Sequence, residues 1–192
     1  MKEKGFTLLE ITVVVAIISL LSTLFIANYR GGERTFALRR SAHQLSQSLR
    51  SVQEIAMSSQ RFESAFPKGG YGIYFKKDSN TYILFADCDG DHSYDVTGFG
   101  LITCLNATPE DPFWKGEKIK EISLEEGVKI SATIPSSLSN TLEITFFPPD
   151  PTITINSDSD PESDANSASI TLISDGQSIK ININSAGLID ID

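Results

Sequence analysis

KGFTLLEITVVVAIISLLSTLFIA, residues 4–27, decides how the rest of the chain is read. From Phe6 to Ala27 it carries a single charge, Glu10, and neither Pro nor Gly. About 20 apolar residues at a 1.5 Å rise cross a hydrocarbon core of ~30 Å. The stretch therefore predicts a membrane-spanning helix over 6–27. A secretory signal peptide would have a shorter apolar region with a small-residue cleavage site behind it. No A-x-A-like site follows here. A buried core helix is the other alternative, but a run this long that is apolar on every face points to lipid.

Glu10 does not fit a plain anchor. An acid costs up to ~3 kcal/mol at the centre of a membrane helix and less near its end. No Lys or Arg lies within a turn of it inside the run. Its partner should come from another chain or from a new N-terminus.

Outward from this segment the charge changes sign. The 192-residue chain has 16 Lys and Arg against 25 Asp and Glu, a net of −9. Residues 28–61 hold six Arg against Glu33 and Glu54. Residues 62–192 hold 8 Lys against 21 Asp and Glu. An acidic body is a poor general partner for nucleic acid, where Lys and Arg meet the phosphates. Two His and two Cys leave little for a four-ligand zinc site. No P-loop, G-x-G-x-x-G, G-x-S-x-G or H-E-x-x-H is present. An enzyme would need a nucleophile–base pair, and the sequence offers none.

Lys4-Gly5-Phe6-Thr7-Leu8-Leu9-Glu10 and the apolar run behind it resemble the type IV prepilin signal. The resemblance implies that a membrane-bound prepilin peptidase cuts between Gly5 and Phe6 and methylates the new N-terminal Phe6. Glu10 would then pair with the terminal ammonium of a neighbouring subunit during filament assembly. Two charges costly in lipid would neutralise each other. The four Arg at 30, 34, 39 and 40 oppose this topology on a bare count of flanking cations. The resemblance nevertheless puts the body outside the cytoplasmic membrane, periplasmic or extracellular, on a single-pass anchor.

Leu38, Ala42, Leu45, Leu49, Val52 and Ala56 recur at 4-3-4-3-4 spacing, one apolar stripe of an amphipathic helix over 28–61. Gly31-Gly32 is an expected soft point or kink. After Pro67 the pattern becomes short strands between turn residues. Candidates are 71–76, 81–86, 119–123, 128–134, 142–147, 169–174 and 178–183, with a last edge strand or tail near Gly187-Leu188-Ile189. Residues 156–168 lack large apolar side chains and are expected to be a mobile loop. The expected parts are a leader (1–5), a transmembrane helix (6–27), an amphipathic helix (28–61) and a β-rich body (62–192). The expected fold is α+β: a long N-terminal helix packed on an antiparallel sheet, as in pilins.

The order of parts is also similar to one pilin branch, the H-type minor pseudopilins and FimT-like proteins. The shared features are a helix ending in Leu49-Arg50-Ser51-Val52-Gln53-Glu54-Ile55-Ala56, a strand leading into an Asp-rich turn, and a late Ile144-Thr145-Phe146-Phe147 strand. The resemblance implies a structural subunit, not an enzyme, of a type II secretion or type IV pilus-like filament. Its partners would be prepilin peptidase, other pilin or pseudopilin subunits through the N-terminal helix, and an inner-membrane assembly platform. A filament-tip binding module, for adhesion or DNA uptake, is the alternative function.

Asp87, Asp89, Asp91 and Asp95 sit in an Asp-rich turn whose alternate carboxylates suit calcium. The turn departs from an EF-hand loop in its Gly90 position and its missing twelfth-position Glu. A polar loop turned by Asp89-Gly90 stands ahead of calcium. No other cofactor is expected. His92 is read as an exposed loop residue and His43 as a solvated one. A Cys88–Cys104 disulfide would suit a body outside the cytoplasm and would rigidify the turn. Two reduced cysteines are the alternative.

Overall fold

The computed structural model describes residues 5–62, 65–95, 104, 116–135, 140–148, 152–156 and 166–192. Residues 1–4 of the expected leader and 157–165 of the expected mobile loop lie outside the described residues.

One α-helix, α1 (Leu8–Met57), runs for 50 residues, roughly 75 Å at the α-helical rise. Its backbone is helical through Gly31 and Gly32, with no break at the expected soft point. The helix ends at Met57, short of the expected 61. Ser59 turns left-handed at φ 48, and the N–H groups of Ser58 and Ser59 bond back to Glu54 O and Ala56 O. That geometry satisfies terminal carbonyls and stops the helix.

Among the described residues nine strands follow: β1 (Gly70–Lys76), β2 (Thr81–Asp87), β3 (Lys118–Ser123), β4 (Lys129–Ile134), β5 (Thr141–Phe147), β6 (Thr152–Asn156), β7 (Ser167–Ser174), β8 (Gln177–Asn184) and β9 (Ile189–Ile191). They form two antiparallel sheets rather than the single sheet expected. The first runs β3-β2-β1-β5-β6 and the second β4-β7-β8-β9. Two further differences come from pairing. Thr152–Asn156, absent from the expected strands, pairs with β5. Both ends of the expected mobile loop are strand: Asn156 closes β6 and Ser167 opens β7. Ser167 and Ala168 are held by ladder pairing to Asn184 and Ile183. Backbone hydrogen bonds to a neighbouring strand override the low apolar content of the segment.

The α+β expectation of a long helix packed on antiparallel strands holds. All six stripe residues from Leu38 to Ala56 are buried. They meet Tyr71, Ile73, Phe75, Leu142, Ile144 and Phe146 of the first sheet and Ile170, Leu172, Ile181 and Ile183 of the second in one apolar core. The Tyr82 hydroxyl lies 2.8 Å from Ser48 Oγ, which satisfies both groups within the helix–sheet interface. Nearer the membrane end, Arg34 pairs with Asp175 at 2.6 Å and Arg40 with Glu125 at 3.2 Å.

Candidate functional site

The N-terminal site is built by a cap. Thr7 is the N-cap of α1, with extended backbone at φ −81 and ψ 151. Its Oγ1 accepts the Glu10 N–H at 3.3 Å. Its carbonyl takes the N–H groups of Glu10 and Ile11 at 3.1 and 3.3 Å. Gly5 and Phe6 lie before the helix, and Phe6 is 79% exposed. The bond between them is open backbone, free of the helical ladder. Glu10 stands three residues inside the helix, exposed on the apolar rod. Leu8–Phe25 has a mean hydropathy of 2.4, and none of that window is buried by the body. Thr12, Ser19 and Thr23 return their hydroxyls to carbonyls three or four residues back. The rod therefore presents few unsatisfied polar groups to lipid.

The Asp-rich turn is placed differently from the loop that its composition suggests. The first sheet turns Tyr71, Ile73 and Phe75 toward α1. Its other face carries Gly72, Phe85 and Thr145, and residues 88–95 fold back over that face. Tyr94 packs on Tyr74 and Phe85 with ring centroids 5.1 and 5.5 Å apart. Gly72 makes room for this layer, since a Cβ there would lie 2.5 Å from Phe85 Cζ. Cys88 and Cys104 are joined by a disulfide at the base of the turn.

Asp87 is fully buried. Its two oxygens accept N–H bonds from Gly90 at 2.7 Å and His92 at 2.9 Å. Glu117, which the sequence does not single out, is fully buried beside it. Glu117 accepts N–H bonds from Cys88 at 2.7 Å and Asp95 at 3.2 Å. Burial pushes Asp87 up to about 7 and Glu117 up to about 9, each opposed by the bonds it accepts and reinforced by neighbouring acids. Burial, then the charges of Asp91 and Asp89, also raises Asp95.

Ligand atoms of Asp87, Asp89 and Glu117 lie within 4.8 Å of one another, as do those of Asp89, Asp91 and Asp95. The four expected carboxylates are thus split between two groups that share Asp89. The same oxygens organise the loop. Asp89 accepts from Asp91 N–H and Asp91 from Ser93 N–H. The carboxylates therefore bond within the turn, and the same two groups stand close enough together to hold a metal ion.

His92 is half-buried rather than exposed, and His43 is exposed. His92 Nδ1 lies 3.5 Å from both Thr145 Oγ1 and Asp87 Oδ2. Both contacts fall on one ring nitrogen. A triad needs the nucleophile on one nitrogen and the acid on the other. Clefts of about 640 and 400 Å³ lie elsewhere, and neither is lined by Asp87 or Glu117.

With this geometry in place, one comparison decides the N-terminal segment. Residues 1–26 match the prokaryotic N-terminal methylation motif. No curated protein and no solved structure matches the chain. The methylation motif indicates a type IV pilin- or pseudopilin-like precursor processed by prepilin peptidase. It implies assembly with other pilin subunits and suggests a structural role rather than an enzymatic one. Together with the apolar rod it supports membrane anchoring through a single N-terminal helix.

The sequence missed two residues here. Glu117 carries no local signal, because only the fold brings it to Asp87. Thr7 did carry one: Thr-x-x-Glu before an apolar run is the spacing of a helix cap.

Proposed function

We propose that the chain is a minor pseudopilin or minor pilin, a structural subunit of a type II secretion or type IV pilus-like filament. The observation that carries this is the methylation motif on an exposed, non-helical Gly5–Phe6 bond directly before a long apolar helix. In this reading the peptidase removes residues 1–5 and methylates Phe6. Glu10 then neutralises the ammonium of a neighbouring subunit in lipid. The inner-membrane platform moves the subunit into the filament. The body works outside the cytoplasmic membrane, a setting that the Cys88–Cys104 disulfide favours. A long helix on antiparallel sheets with a late Ile144–Phe147 strand supports the H-type and FimT-like branch.

Mass spectrometry of the N-terminal peptide, from protein in its native membrane, tests this reading. A chain beginning at N-methylated Phe6 is the expected result. A Met1 start in cells with active prepilin peptidase overturns it.

A further inference from the structure

Thr7 does more than begin a helix. Leader removal hydrolyses the Gly5–Phe6 peptide bond: water gives its hydroxyl to the Gly5 carbonyl and a proton to the departing Phe6 nitrogen. A peptidase acts on opened chain, so a carbonyl held in a helical ladder resists attack. Here the first helical bonds run to the carbonyl of Thr7, from Glu10 and Ile11. The Gly5 carbonyl, two residues earlier, receives no backbone hydrogen bond from the described residues.

Capping preferences show what the Thr7 side chain prevents. An N-cap residue uses its side-chain oxygen on the first free N–H groups, and its own carbonyl accepts the first helical bond. Upstream of Thr7 the next residue suited to capping is Gly5. If the cap moved there, the Gly5 carbonyl would take the Leu9 N–H, and the scissile bond would enter the first helical turn. A Cβ placed on Gly5 meets nothing within 4 Å, so among the described residues no such contact bars Gly5 from a helical turn. The 3.3 Å bond from Glu10 N–H to Thr7 Oγ1 is the side-chain contact that sets the boundary.

We infer that Thr7 is a positioning residue for leader removal, its side-chain cap keeping the Gly5–Phe6 bond outside the helix. The inference rests on the prepilin reading and adds a residue to it.

The test follows leader removal from the full-length precursor in membranes containing prepilin peptidase. Thr7→Ser and Thr7→Asn keep a capping oxygen, whereas Thr7→Val keeps the shape of Thr without one. A cap is worth ~1 kcal/mol, so Thr7→Val should be processed roughly fivefold more slowly, with Ser and Asn close to the parent. Amide hydrogen exchange on the precursor gives a second readout. Leu9 should become protected in Thr7→Val alone. Processing of Thr7→Val at the parental rate overturns the inference. So does a Thr7→Asn as slow as Thr7→Val, which would mean that the peptidase reads threonine itself. Failure of the parent chain to be cut at all is a different result, and it overturns the prepilin reading instead.

Discussion

The Asp87 carboxylate fills the space that a side chain on Gly69 would occupy. The two residues are also joined through the backbone, with Gly69 N–H bonded to Asp87 O at 3.0 Å. Gly69 is thus required by its neighbour. Gly69→Ala must displace Asp87 and break its bonds to Gly90 and His92. Overpacking of this kind costs about 1–3 kcal/mol. Urea unfolding of the full chain in detergent should show a loss in that range, with the far-UV spectrum of α1 retained.

The buried acids give the body a definite pH dependence. Asp87 rises from 3.8 to about 7 and Glu117 from 4.5 to about 9 on folding. A raised carboxyl favours the folded state below its unfolded value, and that contribution is lost as pH climbs through the folded value. Stability should therefore fall between pH 4 and 9, the Asp87 share going first. Glu117→Gln keeps an acceptor and removes the charge, so it should flatten the upper part of the slope. Denaturation midpoints at pH 5, 7 and 9 read this directly. A midpoint that rises with pH would contradict the burial of this pair.

The disulfide holds the turn against the sheet. Cys88 and Cys104 are 16 positions apart, and closing a loop of this size is worth about 3 kcal/mol on the chain-entropy estimate. Reduction, or Cys88→Ser with Cys104→Ser, should lower stability by about that amount. The change should appear in the near-UV signal of Tyr94, whose ring lies on Tyr74 and Phe85.

The helix–body contact has unequal parts. Leu45 is fully buried, and Leu45→Ala should cost about 2–5 kcal/mol. Arg40 and Glu125 pair at 3.2 Å with side chains 60% and 40% exposed. Arg40→Ala should cost less than about 1 kcal/mol because solvent screens such pairs. Thermal unfolding of the two variants side by side separates the contributions.

Much of this architecture was legible where its cause is local. The 4-3 stripe from Leu38 to Ala56 marks the buried face of α1 because helical geometry repeats every few residues. Seven of the nine strands among the described residues lie close to their expected positions. The other two were β6, a strand missed between flanking prolines and a polar run, and β9, expected only as an edge or a tail. β6 became visible through its partner: Ile144 faces Ile155, and Thr145 faces Thr154. The helix end shifted because Ser59 adopts a left-handed turn, and no Pro or Gly announced it.

The sequence by itself determined the N-terminal half of the protein's character. Gly5, Phe6, Thr7 and Glu10 lie within one or two helical turns of one another and the apolar rod is a continuous run, so order along the chain is enough. Tertiary structure alone decided the rest. It divided the strands into two sheets around one helix, folded residues 88–95 over the second face of the first sheet, and buried Glu117 beside Asp87. Those outcomes depend on contacts between residues distant in sequence. A carboxyl's protonation is governed by the water and charge around it, which the chain acquires only on folding.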